Sequence, residues 1–275
     1  MKLPQITFTR FIAAFLVVAH HYTRSIPFFQ TGILGKIVQG GYLAVSYFFF
    51  LSGFILIVSV AREENLPQKL EVKKFWINRV IRIYPLYILA LLLYWLINAV
   101  SPVFKDPFIW SKAMLNIFML QAWFQNHIMD YNFPGWTLCA ELLFYLSFPL
   151  LFIPLNKLKN NSIASLIILL WVGSFILLLW MLKQKFAPGL VYFFPLFHLP
   201  TFVIGMGTGI LFIRNKDKLQ SNISIINVVA ILLFALFFFL LLINNEFGKY
   251  YHNGLLCPLF AFIILTLSLN NGILK

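Results

Sequence analysis

Ionisable side chains inside otherwise apolar runs are the residues of this sequence that could do chemistry. Arg10 and His21 lie in the first such run, and Glu141 is the only acidic residue well inside any apolar run. Burying a charge in an apolar segment of a membrane protein is costly, so such residues point to function by default. A histidine with a carboxylate partner forms a general base with its orienting group, so His21 and Glu141 are predicted to be catalytic.

The spacing of Arg10 and His21 predicts that they share a helix face. Eleven residues at about 100° each return to within about 20° of the same direction, about 16 Å farther along the axis. We therefore expect both side chains to point into one cavity, whereas His20 points about 100° away. The alternative is that Arg10 anchors the helix at the membrane interface and that His21 contacts the headgroups at the far end.

A second segment, Phe75 to Pro85, carries Arg79 and Arg82 three residues apart, so they are neighbours on one helix face. Paired guanidinium groups suit phosphate or pyrophosphate, because each presents a fork of donors. The alternative is contact with anionic lipid headgroups, which basic residues at a helix end commonly make. On these residues alone the alternative is favoured.

The third segment, Pro134 to Pro149, contains Glu141. Thr137 lies one turn before it and Tyr145 one turn after it, so a polar stripe is predicted along an apolar helix. A structural carboxylate paired with an arginine or histidine is the alternative, and it overlaps the catalytic interpretation.

The composition indicates where these segments must sit. Of the 275 residues, 61% are hydrophobic and 11% charged, with 32 Phe, and the mean hydropathy is +0.88. Since a soluble domain has about 25% charged residues, a soluble enzyme, a disordered chain and a disulfide-stapled secreted domain are excluded. The net charge of +13 comes from basic residues in loops between apolar runs, which indicates membrane topology rather than nucleic-acid binding. Cys139 and Cys257 have no spacing typical of a disulfide framework or a zinc site, so no metal is expected.

The fold predicted from these runs is all-α, a polytopic membrane helix bundle of about eight or nine transmembrane helices in one domain over residues 1–275. A span needs about 20 apolar residues, and such runs lie at 8–25, 41–61, 83–100, 136–156, 163–182, 190–213, 225–244 and 254–270. The shorter run 110–124 is predicted to be re-entrant or interfacial. With a cytoplasmic N-terminus and no crossing at 110–124, 14 of the 21 basic residues lie inside, which fits the positive-inside rule best.

These segments in this order resemble the membrane-bound acyltransferase-3 family. The likeness rests on Arg10 with His21, on the Phe-rich stretch 48–54, on Arg79 to Pro85, and on Trp136 to Tyr145, where Thr137 replaces the usual Ser.

The resemblance implies transfer of an acyl group, usually acetyl, from acyl-CoA to a hydroxyl of a cell-surface glycan or lipid-linked saccharide. It implies His21 as the catalytic histidine and Arg10, Arg79 and Arg82 as the residues that bind the donor. Acyl-CoA is then a substrate, no other cofactor is expected, and the location is the cytoplasmic membrane. We expect the cavity to be lined by Tyr22, Ser52, Tyr84, Trp136, Thr137 and Tyr145.

Members of this family usually continue past a region like Asn270 to Gly272 into a further helix. The resemblance therefore implies either that this domain is C-terminally truncated or that it is a shorter relative. A rival hypothesis of another class is a lipid-linked glycan transporter or flippase without covalent chemistry, because apolar spans and basic loops suit both.

Overall fold

The structure, a computed structural model, describes residues 3–23, 25–29, 31–61, 65–98, 107–243 and 253–270, except for the side chains of 241–243. Within these ranges the fold is helical, as predicted, with twelve α-helices and no strand. The helices are α1 (Pro4–Thr23), α2 (Gly32–Gln39), α3 (Leu43–Val60), α4 (Val72–Ile97), α5 (Ile109–Ile117), α6 (Trp136–Lys157), α7 (Asn160–Lys183), α8 (Pro188–Phe193), α9 (Leu199–Arg214), α10 (Lys216–Ser221), α11 (Ile223–Ile243) and α12 (Cys257–Leu269). The end of the chain at 271–275, where the family likeness predicts a continuation, lies outside the described residues.

Six helical stretches among the described residues are long and apolar enough to cross a membrane. They are Gly32–Val60, Val72–Ile97, Phe133–Lys157, Asn160–Lys183, Pro195–Arg214 and Ile223–Leu240. These stretches indicate a multi-pass membrane protein, but the predicted count of eight or nine spans is not confirmed.

The difference from the eight predicted runs arises at two helices, α1 and α12. Helix α1 has 20 residues but carries Arg10, His20 and His21, which lower its apolar character. Helix α12 has 13 residues, fewer than the about 20 that a span needs. Helix α5, at the start of the run that was not counted among the predicted spans, has nine residues, and at about 1.5 Å per residue it covers less than half of a bilayer core of about 30 Å.

By its internal contacts the chain divides into two compact units, each built from separated stretches of sequence. Unit 1 comprises Met1–Pro67, Leu155–Leu179 and Pro200–Lys275, and unit 2 comprises Gln68–Pro154 and Trp180–Leu199. The prediction of one domain over residues 1–275 stays a prediction.

In unit 1, glycines let α3 and α9 pack backbone to backbone. A Cβ atom added to Gly53 would lie 2.1 Å from the carbonyl oxygen of Phe202, and one added to Gly205 would lie 2.0 Å from that of Phe50. Only glycine permits such contacts, and small residues at helix interfaces are typical of membrane bundles. The contact between α3 and α9 therefore depends on these two glycines.

In unit 2, α4 and α6 pack side by side in opposite directions. The ring of Phe75 stacks on Phe148 at 4.9 Å between centroids, whereas Tyr87, three turns later on α4, lies against Gly135 at the start of α6. The two helices therefore run antiparallel, and residues near the beginning of α4 face the middle of α6.

Candidate functional site

A hydrogen-bonded pair on α6 carries the acidic residue predicted from the sequence. The Tyr145 hydroxyl donates a hydrogen bond to Glu141 Oε1, one turn away. Thr137 lies on the same stretch but donates to the carbonyl oxygen of Pro134 at 2.8 Å instead. The polar stripe therefore consists of Glu141 and Tyr145, with Thr137 bonded back to the preceding turn.

Helix α4 adds a guanidinium to this pair. The Arg79 Cζ atom lies 5.9 Å from the centroid of the Tyr145 ring and 5.2 Å from that of Phe75, both within the range of a cation–π contact. The Trp76 indole N–H donates to the backbone oxygen of Tyr145 at 3.0 Å, which ties α4 to α6 at this level. We call Arg79, Tyr145 and Glu141 the α4–α6 cluster.

The second predicted donor-binding arginine of unit 2 lies beside this cluster. Arg82 is exposed, one turn after the half-buried Arg79 on α4. The two side chains therefore start from neighbouring positions on α4. The Arg79 guanidinium contacts aromatic rings, whereas Arg82 is exposed.

Tyr84 and Trp136, two of the residues predicted to line a cavity, have structural contacts in unit 2. The Tyr84 hydroxyl donates to the carbonyl oxygen of Ile117 at 3.1 Å, at the end of α5. The Trp136 ring packs at 5.1 Å on Phe193 and at 5.3 Å on His198. His198 is buried and its Nε2 donates to the carbonyl oxygen of Tyr192 at 3.0 Å, which is a structural role.

In unit 1, the two histidines of α1 have different surroundings. His20 Nδ1 donates to the carbonyl oxygen of Val38 at 3.1 Å, and the His21 ring meets the His20 ring edge-on at 5.3 Å. Arg10 and Tyr22 are exposed, whereas His21 is half-buried. Arg10 and His21 lie on one uninterrupted helix, as their predicted shared face requires.

A cavity of about 410 Å³ lies beside α1 in unit 1. Its α1 wall is Thr9, Ile12, Ala13 and Leu16, and the rest is almost entirely apolar. The Thr9 and Tyr47 hydroxyls bond each other at 2.6 Å, so the polar groups of this wall are satisfied. This cavity does not adjoin Arg10, His21, Tyr22 or Ser52, so it is not the one predicted for those residues.

The predicted residues are thus divided between the two units. Unit 2 brings Arg79, Tyr145 and Glu141 together, with Arg82 nearby, whereas Arg10 and His21 belong to unit 1. The pairing of His21 with Glu141 stays a prediction, as do the roles assigned to these residues. Among the described residues no group of three or more His, Cys, Asp or Glu side chains could hold a metal ion.

One polar group was missed by the sequence reasoning. His127, for which no partner was predicted, lies with its Nδ1 atom 2.7 Å from Asp130 Oδ2, and Lys112 Nζ lies 3.9 Å from Asp130 Oδ1. The spacing of three residues between His127 and Asp130 was the available signal, but it depends on a turn that apolar periodicity does not reveal.

Comparison with known proteins gives a family match over almost the whole chain. A family model described as an acyltransferase domain matches residues 3–274. The acyltransferase MdmB of Streptomyces mycarofaciens is 34% identical over 54% of this chain and 39% of its own length. The O-acetyltransferase OatA of Staphylococcus aureus is 26% identical over 79% of this chain and 38% of its own length.

A third relative, the peptidoglycan O-acetyltransferase OatA of Listeria monocytogenes, is 26% identical over 62% of this chain and 27% of its own length. The matched parts thus cover less than two fifths of the length of these curated relatives. No solved structure matches the chain significantly.

Proposed function

The chain belongs to the family of acyltransferase domains, and on that premise we propose that it is a membrane-bound O-acyltransferase. The proposed reaction moves an acyl group, acetyl in the first instance, from acyl-CoA to a hydroxyl of a cell-surface glycan or lipid-linked saccharide. Two of the relatives are named O-acetyltransferases, one of them for peptidoglycan, which supports an ester product and a glycan acceptor.

The observation that carries the proposal is the α4–α6 cluster. A guanidinium held between aromatic rings, next to a hydrogen-bonded carboxylate, lies on two helices that are long and apolar enough to span a membrane. Placing such charges there is costly, so a purely structural role would be better served by apolar residues. With Arg82 one turn away, the cluster supplies the cationic groups that the phosphates of coenzyme A require.

The chemistry assigned to the residues follows from acyl transfer. The acceptor hydroxyl attacks the thioester carbonyl, its C–O bond forms as the C–S bond breaks, and His21 takes the hydroxyl proton as general base. Arg10, Arg79 and Arg82 bind the donor phosphates. Glu141 was predicted to orient His21, and since a carboxylate has two oxygens, its bond with Tyr145 leaves room for that role as well.

We place the protein in the cytoplasmic membrane as a multi-pass protein with a cytoplasmic N-terminus. The support is the distribution of basic residues, 14 of 21 on one side when α5 does not cross, together with the nine-residue length of α5.

The test is transfer of label from [¹⁴C]acetyl-CoA to peptidoglycan fragments by the purified protein in proteoliposomes. We expect labelled ester from the wild type, a loss of at least about 100-fold for His21→Ala, and normal transfer for Val18→Ala, an exposed change on the same helix. Glycan that crosses the membrane unlabelled, equally in wild type and His21→Ala, would establish a transporter instead.

A further inference from the structure

The segment between α5 and α6 holds a histidine–aspartate pair that the reaction described above does not use. His127 Nδ1 and Asp130 Oδ2 are 2.7 Å apart, and the backbone N–H of Asp130 donates to the carbonyl oxygen of His127 at 3.2 Å. The next residue, Tyr131, has a φ of +53°, a left-handed conformation that residues other than glycine seldom adopt. Such local strain is typical of functional sites.

Asp130 determines which nitrogen of His127 is available for proton transfer. An ionised carboxylate only accepts hydrogen bonds, so Nδ1 carries a hydrogen and Nε2 is left to exchange a proton. Lys112 Nζ, 3.9 Å from the other Asp130 oxygen, compensates the charge of the carboxylate. The His127 side chain is 28% exposed and that of Asp130 is 16% exposed, so a reactant has better access to the ring than to its orienting group.

The pair lies beside the C-terminal end of α4, whereas the arginines lie in the first half of that helix. Tyr131 packs on Tyr94 at 5.6 Å and on Trp95 at 6.0 Å, both in the last turn of α4. Tyr94 follows Arg79 by 15 residues, which is about 22 Å along a helix. Within unit 2, a cation site therefore lies in the first half of α4 and a proton-transfer pair lies beside its last turn.

This separation matches the shape of the proposed donor. Coenzyme A carries its phosphates and its sulfur at opposite ends of a long pantetheine arm. With the phosphates bound at Arg79 and Arg82, the arm can extend along α4 and bring the thioester toward His127.

Resting on the function proposed above, we infer that His127 is the general acid that protonates the leaving sulfur of acyl-CoA, and that Asp130 is its positioning residue. As the acceptor oxygen bonds to the acyl carbon, the C–S bond breaks with its electron pair on sulfur. The imidazolium Nε2–H then gives its proton to that sulfur and yields the free thiol. His21 holds the proton of the acceptor hydroxyl, and solvent returns both histidines to their starting forms, so no net proton is produced.

The acid is needed because a thiolate is a charged leaving group. A free thiol of this type has a pKa of about 8.5 in water, and forming the anion in a poorly hydrated site costs more. A selenol is considerably more acidic than a thiol, so a selenolate leaves readily without a proton. Comparing the two donors therefore distinguishes two roles for His127. Loss of an acid affects the thioester more than the selenoester, whereas loss of a residue that only stabilises the turn affects both equally.

The experiment compares acetyl-CoA with acetyl-seleno-CoA as donors for the wild type, His127→Gln, Asp130→Asn and Asn126→Ala, with transfer to peptidoglycan fragments as readout. For His127→Gln we expect kcat with acetyl-CoA to fall about 100-fold and to recover most of that loss with acetyl-seleno-CoA, with KM little changed. Asp130→Asn should show a smaller loss and the same recovery. Asn126→Ala, an exposed change in the same turn, should behave as wild type with both donors.

Equal losses with both donors for His127→Gln would show a structural role and overturn the inference, as would full activity with acetyl-CoA. In either case transfer by the wild type leaves the proposed function standing. A wild-type protein that transfers acetyl from neither donor overturns the proposed function, and the inference with it.

Discussion

The Tyr145 hydroxyl donates a hydrogen bond to the Glu141 carboxylate one turn away on α6, while the same Tyr145 ring faces the guanidinium of Arg79 on α4. One side chain thus links the acidic and the basic member of the α4–α6 cluster. The ring of Tyr145 is thus one of the aromatic contacts of Arg79, at 5.9 Å, whereas its hydroxyl contacts Glu141.

Tyr145→Phe separates these two contributions. The ring under Arg79 remains and the hydrogen bond to the carboxylate is lost, which costs about 1.5–3 kcal/mol for a bond to a charged group. We expect a lower thermal midpoint and a lower kcat for acyl transfer, with KM for acetyl-CoA within about twofold of wild type. Tyr94→Phe, at a ring contact on the same unit, is the control, and equal effects of the two changes would contradict a special role for the Tyr145 hydroxyl.

Arg79→Lys and Arg82→Ala test the binding of the donor phosphates. Lysine keeps the charge but loses the planar fork and the stacking on aromatic rings, so the change is not conservative. We expect each variant to raise KM for acetyl-CoA about tenfold, as a loss of about 1.4 kcal/mol predicts. Only Arg82→Ala removes a charge, so only that variant should reduce the salt dependence of binding. KM is measured from initial rates against acetyl-CoA concentration, and the salt dependence from a titration of coenzyme A at low and high salt.

Lys73→Ala is the matched control for the arginines, because Lys73 is an exposed cation near the start of the same helix. An increase in KM as large as that of Arg82→Ala would indicate a general effect of positive charge. It would favour the alternative in which these residues contact anionic lipid headgroups.

The local part of the site could be predicted from the sequence, since helix periodicity alone places Glu141 and Tyr145 on one face. Similarly, glycines such as Gly53 and Gly205 predict close helix packing, and the structure contains it. The count of spans does not follow from hydropathy, because hydropathy does not distinguish a complete span from a 13-residue apolar helix such as α12.

Contacts between distant parts of the chain were beyond such reasoning. Arg79 and Tyr145 are 66 positions apart in the sequence, and only the antiparallel packing of α4 and α6 brings them together. The pairing of His127 with Asp130 required knowledge of a turn that ends in the left-handed conformation of Tyr131. The first contact follows no local period, and the three-residue spacing of the second predicts a contact only where the chain turns between the two residues.

Cysteine accessibility tests the topology. The native Cys139 and Cys257 are both 1% exposed, so they should not react with a thiol reagent. Labelling of a single cysteine introduced by Asn126→Cys or by Lys157→Cys can therefore be measured without removing them. Since α6 separates the two positions and is 22 residues long, an impermeant thiol reagent added to intact cells should label position 126 and not 157. Labelling of 157 alone would place the N-terminus outside, and labelling of both would show that α6 does not cross.

Gly205→Ala tests whether the contact between α3 and α9 limits the stability of unit 1. The new Cβ would lie 2.0 Å from the Phe50 carbonyl oxygen, and because that atom belongs to the backbone, the two helices must move apart. Overpacking of this kind costs about 1–3 kcal/mol, so the thermal midpoint in detergent should fall. Gly173→Ala on α7 is the control, since no atom lies within 4 Å of its added Cβ and alanine favours a helix by about 1 kcal/mol over glycine. The midpoint of that variant should hold or rise, and an equal fall in both would show that close packing is not the cause.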